Sequence, residues 1–156
     1  MRLLVLAVGT RMPAWVEAAF SEYAKRMPRH LALELVEIRP EPRTEGKPAA
    51  ALCLAEAERI TRSMPAGATK VALDERGREF STDAFAKWIE RMTGEGRDIA
   101  FIIGGADGLA PQLRTNADLT LRLSAFTLPH ALARVVLAEQ LYRAVSIMQN
   151  HPYHRA

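Results

Sequence analysis

The segment that decides the fold is Ile102-Ile103-Gly104-Gly105-Ala106-Asp107-Gly108, an apolar run that ends in a glycine loop. Glycine has no Cβ and reaches positive φ at little cost, so such a loop lets the backbone approach a ligand closely. Further along, Leu123-Ser124-Ala125-Phe126-Thr127-Leu128-Pro129-His130 joins a strand to a long helix and supplies a second wall. The two walls predict a cofactor pocket, over which the tail Asn150-His151-Pro152-Tyr153-His154-Arg155 could lie.

Length and composition predict one globular domain over residues 1–156. The chain is 49% apolar, which is enough for a substantial core, and its formal net charge of +3 is compatible with a polyanionic partner without requiring one. Cys53 is the only cysteine, which excludes an internal disulfide framework, and we interpret it as a buried structural thiol. Because no apolar run approaches the ~20 residues of a membrane span, we expect a soluble, cytoplasmic protein without a membrane partner.

Short apolar runs alternate with longer amphipathic ones along the chain. Alternation of this kind predicts an α/β fold with a mostly parallel sheet flanked by helices. The predicted strands are residues 3–8, 32–38, 70–74, 98–103 and 118–123. The predicted helices are one with Pro13 in its first turn, then 49–63, one capped by Ser81 or Thr82 and ending at Met92, a short piece near 111–116, and 129–148.

Two helices carry apolar residues at helical spacing, which predicts that these residues face a core. In the first helix they are Trp15, Val16, Ala19, Phe20 and Tyr23. In the last helix they are Leu132, Val135, Val136, Tyr142 and Val145, and we expect part of this face to contact a second copy of the chain. The polar, proline-rich residues 39–48 are a surface connection or an RNA-contacting flap, and base rates for loops favour the connection.

Taken alone, the glycine loop is weak evidence for a ligand site. It lacks the Gly-x-Gly-x-x-Gly pattern of a dinucleotide fold and the lysine of a P-loop, and a simple turn would explain it. The order of the surrounding segments favours a pocket instead: strand, glycine loop, short helix, strand, Ser-x-x-Thr-x-Pro-His, helix and basic aromatic tail. We therefore expect a valine at Gly105 to enter the pocket.

The same segments resemble a known family. They are residues 104–108, 123–130, the helix stretch Arg134-x-x-Leu137-x-Glu139-Gln140-Leu141-Tyr142-Arg143-Ala144, and the tail 150–155. Together they resemble the SPOUT-class methyltransferase H family, which modifies N3 of a pseudouridine in large-subunit ribosomal RNA. The start of the chain and Leu73-Asp74-Glu75 also fit, so the resemblance spans essentially the whole chain.

The resemblance implies a trefoil knot in the C-terminal half, an obligate homodimer and S-adenosylmethionine as cofactor. Pattern reasoning alone would discard a knot, because knots are so rare. The family's cofactor contacts carry over to Leu73, Gly104 and the run Leu123, Ser124, Ala125, Phe126, Thr127 and Leu128, and the glycine loop adds Gly105. The implied substrate is large-subunit ribosomal RNA on the assembled ribosome, and the tail is expected to complete the active site of the partner protomer.

Methyl transfer to a ring nitrogen needs alignment of the methyl donor and the acceptor. It also needs a group that accepts the imide proton or stabilises the anion that forms when this proton is lost. The candidates in the tail are Tyr153, His154 and Arg155, since a terminal tail offers no core role for such residue types, and Arg143 of the last helix is a further candidate. Arg143 stands four residues after Glu139, so an ordinary helical ion pair is the alternative.

The other histidines have simpler explanations. His130 begins a helix, where positive dipole character disfavours imidazolium, and we interpret it as a pocket wall. The spacing of His151 and His154 resembles a metal site, but Pro152 between them and the lack of a third ligand argue against zinc. We expect no metal.

Two other functional classes compete with a methyltransferase. A hydrolase or nuclease needs a nucleophile with an oriented base or clustered carboxylates, and neither occurs in the sequence. A non-catalytic RNA-binding module would keep the basic character but would not need a glycine-loop pocket. The sequence alone leaves this second alternative open.

Overall fold

A computed structural model describes residues 1–155 and shows an all-parallel sheet. Ala156, the end of the predicted domain, lies outside the described residues. The strands are β1 (Arg2–Val8), β2 (Ala32–Ile38), β3 (Thr69–Glu79), β4 (Ile99–Ile103) and β5 (Leu119–Arg122). They lie in the order β2-β1-β4-β3-β5, and every neighbouring pair is parallel. The predicted α/β fold is confirmed.

Helices cover both faces of the sheet. They are α1 (Ala14–Arg26), α2 (Ala49–Ser63), α3 (Thr82–Glu95), α4 (Pro111–Thr115) and α5 (His130–Met148), with 3-10 turns at Arg29–Leu31 and Pro152–His154. Alternate side chains of β1 enter two separate cores, as strand geometry requires. One core lies under α1, α3 and α5, and the other lies under α2 and α4.

The largest boundary difference is in β3, which was predicted to end at Asp74 and continues to Glu79. Its pairing with β5 shifts register between Leu73 and Arg78, so the polar stretch between them bulges out of the ladder. That stretch has the polar sequence pattern of a loop, because its side chains are not packed in the sheet. The strand resumes when Arg78 and Glu79 pair with the end of β5.

Smaller differences concern the helix ends. Ser81 caps α3, since its Oγ accepts a hydrogen bond from the Ala84 N–H at 3.2 Å. The helix continues past Met92 to Glu95 and stops where Gly96 adopts the left-handed conformation, φ 70°. Pro13 lies just before α1 rather than in its first turn.

The predicted inner face of α1 is partly wrong. Val16 and Phe20 are buried, and Tyr23 is half-buried, but the Trp15 side chain is 56% exposed. Trp15 and Val16 lie in the same first turn, about 100° apart around the helix axis, and only Val16 is buried. Helical spacing alone does not reveal which part of the helix circumference meets the sheet.

The apolar residues predicted on α5 form a second, outer face. Val145 is buried, but Leu132, Val135, Val136 and Tyr142 are only half-buried. The core contact is made by a neighbouring stripe, which includes Leu137, Ala138, Leu141 and Ala144. Because α5 is apolar around most of its circumference, the sequence pattern does not distinguish the two faces.

A completely buried arginine joins α5 to the amino-terminal strands. The Arg134 guanidinium donates to the Gly9 carbonyl at 2.8 Å and to Glu37 Oε2 at 2.9 Å. Within residues 1–155 its Nε has no hydrogen-bond partner. These bonds fix the start of α5 beside the carboxyl ends of β1 and β2.

The backbones of β3 and β5 approach each other closely at the bulge. A Cβ on Gly77 would lie 2.7 Å from the carbonyl carbon of Leu121 and 2.8 Å from that of Thr120. Both neighbours are main-chain atoms, so neither can rotate away. Glycine is required here by contact and not by its φ angle.

We expect Gly77→Ala to lower the free energy of unfolding by about 1 to 3 kcal/mol, the usual cost of overpacking. Gly94→Ala is the matched control, because nothing lies within 4 Å of a Cβ at that helical position. The control should be neutral or slightly stabilising, since alanine favours helix over glycine. Urea unfolding at equal protein concentration measures both variants, and equal stabilities would contradict the close approach.

Candidate functional site

A cavity of about 740 Å³ opens at the carboxyl ends of β3, β4 and β5 and at the start of α5. Ligand sites of parallel sheets lie at this edge. Eight of the nine predicted cofactor-binding residues line it: Leu73, Gly104, Gly105, Leu123, Ser124, Phe126, Thr127 and Leu128. Ala125 does not line the cavity. His130 does, which agrees with its interpretation as a pocket wall.

The glycine loop closes on itself beside this cavity. The Gly108 N–H donates to the Gly105 carbonyl at 3.0 Å, and Gly108 has a left-handed φ of 76°. A Cβ on Gly104 would lie 2.6 Å from the carbonyl carbon of Gly108, which no real Cβ tolerates. Gly104 is therefore needed for the loop to close.

Gly105 differs from the expectation. A Cβ there would lie 3.0 Å from Val8 Cγ1 and 3.7 Å from Oε1 of the buried Glu56. A side chain at this position is therefore directed at the core and not into the cavity. The expectation that a valine at Gly105 enters the pocket is wrong in its mechanism, because sequence gives no direction for the missing Cβ.

Residues 39–48 flank the glycine loop and are anchored by charged contacts. Arg43 pairs with Asp107 of the loop, and Glu41 pairs with Lys47 at 3.2 Å and with Arg59 of α2. The Lys47 and Arg59 cations hold the pKa of Glu41 below its usual value. The segment lies on the surface, and its contacts support one side of the cavity.

Cys53 is buried, as predicted, and it also lines the cavity. Its Sγ lies 3.6 Å from the Asp107 carbonyl oxygen and 3.7 Å from that of Gly108. Burial, together with the nearby Glu56 carboxylate, raises the pKa of the thiol, so the neutral thiol supports the loop from beneath.

The rim of the cavity is charged, a feature that the sequence analysis missed. Arginines and carboxylates both line it: Arg76, Arg114 and Arg122, together with Asp74, Glu75 and Asp107. Arg114 donates to Asp74 at 3.0 Å, and Arg122 lies 3.3 Å from Glu79. Although burial raises the pKa of Asp74, bonds from the Arg76 N–H and Arg114 hold it below its usual value. Arg76 belongs to the bulge of β3, Arg114 to α4 and Arg122 to β5, and none of the three arginines lies in a motif of the sequence.

The predicted catalytic residues do not line this cavity. Arg143 and Tyr153 come together on the outer face of α5, where Glu139 Oε1 accepts from Arg143 Nη2 at 2.6 Å and from the Tyr153 hydroxyl at 3.2 Å. The Glu139–Arg143 ion pair is therefore present. His154 and Arg155 follow in and after the final 3-10 turn, and Arg155 is exposed.

Tyr153 has a packing role that the sequence analysis did not expect. Its ring lies 4.6 Å from that of Tyr142 in an edge-on arrangement, and the Arg143 guanidinium stacks over it at 4.9 Å. Burial, the neighbouring Tyr23 and the Glu139 carboxylate raise the pKa of the phenol. Tyr153 therefore stays protonated near neutral pH and is a hydrogen-bond donor, not a base.

The described residues lack a metal cluster and a membrane-spanning helix. Residues 1–155 contain no cluster of three or more His, Cys, Asp or Glu side chains that could hold a metal ion. Over the same described residues, no helix has the length and apolar character needed to span a bilayer.

Comparison with known proteins adds a family to this geometry. Residues 1–154 match the family described as predicted SPOUT methyltransferases. The chain is 57% identical over its full length to the whole of a Bordetella avium protein named ribosomal RNA large subunit methyltransferase H. It is 56% identical, again over both full lengths, to a Burkholderia multivorans protein of the same name.

A solved structure shows the same fold. The probable methyltransferase from Bordetella pertussis Tohama I superposes with a TM-score of 0.54 at 19% identity. The match covers 92% of this chain and 95% of that one, so the likeness extends over the whole domain.

We expect Gly104→Ala to weaken S-adenosylmethionine binding at least tenfold, about 1.4 kcal/mol, because the loop cannot close around a Cβ. Gly94→Ala is the control, since it makes the same substitution away from the cavity, at a position where nothing lies within 4 Å of a Cβ. The control should bind within about threefold of the parent chain, given a cost well below 1.4 kcal/mol. Calorimetric titration measures both affinities, and thermal unfolding shows that both variants are folded. Equal affinities would remove Gly104 from the site.

Proposed function

This chain belongs to the SPOUT methyltransferase family and is an S-adenosylmethionine-dependent methyltransferase, and from that premise we propose that it methylates N3 of a pseudouridine in large-subunit ribosomal RNA. We propose further that the substrate is the assembled ribosome and that the enzyme works in the cytoplasm as a homodimer of single-domain chains. The observation that carries the proposal is full-length identity of 57% to a relative named for this RNA, together with a cavity at the predicted cofactor segments.

The cavity fits the cofactor in size and in chemistry. Its volume of about 740 Å³ lies in the ordinary range for small-molecule sites. The glycine loop around Gly104 and the run 123–128 form part of its wall, and the main chain of such segments offers N–H and carbonyl groups to a polar ligand. S-adenosylmethionine would supply an activated methyl group on a sulfonium. This chain's residues then need only to hold and orient it, and we assign that role to Leu73, Gly104, Gly105 and the run 123–128.

The acceptor imide must lose a proton and its developing negative charge must be offset. Arg155 is exposed and forms no salt bridge within the described part of the chain, so its guanidinium is available for that charge. Tyr153 is held as a donor by Glu139, and Arg143 stacks on its ring and positions it. We assign His154, whose ring nitrogen contacts the His151 carbonyl oxygen, to the same tail site.

A dimer would bring the tail to a cavity that it does not line in its own chain. The half-buried outer face of α5, with Leu132, Val135 and Val136, is the apolar surface that such a dimer would bury. Tyr153, His154 and Arg155 lie at the end of that helix and could complete the partner's site. The trefoil knot stays a proposal that rests on the family resemblance.

The test is methylation of ribosomes prepared from cells that lack this chain's gene. We expect transfer of one labelled methyl group per ribosome, and nucleoside mass spectrometry should identify N3-methylpseudouridine. Isolated large subunits serve as the comparison, and a preference for them would overturn the assembled ribosome as substrate. Cofactor and RNA binding without any transfer would instead favour the non-catalytic RNA-binding module.

Arg155→Ala should lower kcat by at least about tenfold and leave cofactor affinity unchanged, because the lost interaction forms mainly in the transition state. Arg97→Ala removes the same charge from an exposed loop and should leave kcat unchanged. Single-turnover transfer at saturating cofactor compares them. If both variants behave like the parent chain, the tail guanidinium does not serve the reaction.

Mixed dimers test which protomer the tail serves. A subunit with Arg155→Ala combined with a subunit with Gly104→Ala should regain one working site per heterodimer, about half the parent activity if sites are independent. Each variant alone should be impaired, and differently tagged subunits allow the heterodimer to be purified. Failure of a verified heterodimer to regain activity would mean that the tail acts in its own chain.

A further inference from the structure

We propose that the side chain of Phe126 is a stacking platform for the target nucleotide, while the backbone of the same loop serves the cofactor. The inference rests on the proposed function and goes beyond it by assigning a substrate-binding residue. Phe126 was predicted only as part of the cofactor-binding run, and the structure places its side chain differently from the rest of that run.

Phe126 is the most exposed large apolar residue in the described chain. Its exposed fraction is 84%, yet it lines the mouth of the cavity. An aromatic ring of this exposure gains nothing from the core of its own chain. Trp15 and Leu54, the other exposed large apolar residues within residues 1–155, do not line the cavity.

The loop holds the Phe126 backbone in a defined conformation. The Phe126 N–H donates to Ser124 Oγ at 2.9 Å, and Arg122 Nε donates to the Ser124 carbonyl oxygen at 3.2 Å. A residue tied down at its backbone but free at its ring is suited to meet an incoming ligand with little loss of entropy. A ring that held the cofactor inside the cavity would instead be expected to turn inward.

The polar lining of the cavity favours a nucleotide over an apolar protein surface as the occupant. Three arginines and three carboxylates line it: Arg76, Arg114, Arg122, Asp74, Glu75 and Asp107. Arg114 and Arg122 are paired with carboxylates, whereas Arg76 is exposed and forms no salt bridge within the described part of the chain. A guanidinium and an aromatic ring that line one cavity suit the phosphate and the base of one nucleotide. An enzyme that modifies a base must also take it out of its stack, and an aromatic ring offsets that lost stacking.

The test compares Phe126→Ala, Phe126→Leu and Phe126→Tyr. A stacked base is worth about 1 to 3 kcal/mol, so alanine should lower kcat/KM for ribosomes from gene-deleted cells about fivefold to a hundredfold. Leucine keeps apolar volume without a π face and should recover only part of this loss, whereas tyrosine should recover most of it. S-adenosylmethionine affinity, measured by calorimetry, should stay within about threefold of the parent value, well under the 1.4 kcal/mol of a tenfold change.

Trp15→Ala is the matched control, because it removes an exposed aromatic ring away from the cavity and should leave kcat/KM unchanged. Weakened cofactor binding by Phe126→Ala would assign the ring to the cofactor, and dissociation of the dimer in ultracentrifugation would assign it to a subunit contact; either result overturns the proposal. Full recovery by leucine would overturn stacking. An inactive parent chain would refute the proposed function, whereas an active parent with an unaffected alanine variant refutes this inference alone.

Discussion

The buried guanidinium of Arg134 is the constraint on which the arrangement of this domain depends. A charge removed from water costs several kcal/mol unless it is paired and hydrogen-bonded, so its partners are fixed with it. Here those partners are Glu37 at the end of β2 and the carbonyl groups of Val8 and Gly9 at the end of β1. Because Arg134 lies one turn after His130, the same bonds fix the first turn of α5 as a cavity wall.

The remaining walls follow from main chain packed against main chain. Gly77 allows the bulge of β3 to lie against β5, and Gly104 allows the loop after β4 to fold onto Gly108. Both contacts bring backbone amides to the carboxyl edge of the sheet, where a polar ligand can use them. Binding by backbone groups constrains shape more than side-chain chemistry. This explains why the cavity walls contain small and apolar residues yet suit a charged cofactor.

The strands and helices could be predicted from sequence because their apolar periods are strong, and four of the five strands end within one residue of the expected boundary. The bulge in β3 could not be predicted, because residues that do not pair in the sheet have the sequence pattern of a loop. Trp15 and the outer face of α5 were misjudged because helical spacing does not say which apolar stripe meets the sheet. The glycine loop and the run 123–128 could be predicted as cavity walls from the order of the segments and from the resemblance. The charged rim could not be predicted, because Arg76 and Arg114 come together only through the fold.

The tail shows why one chain does not contain the whole proposed site. Glu139 accepts hydrogen bonds from both Tyr153 and Arg143, so this carboxylate holds the tail against α5. The positive charge of Arg143 is balanced by the same carboxylate. Arg155 is exposed and is the tail cation that has no salt bridge in the described residues. A fixed carboxylate beneath and a free guanidinium above favour an anionic acceptor on the outer side of the tail. On the proposed function, that side must face a cavity with a bound methyl donor, and in a homodimer the partner's cavity would meet this need.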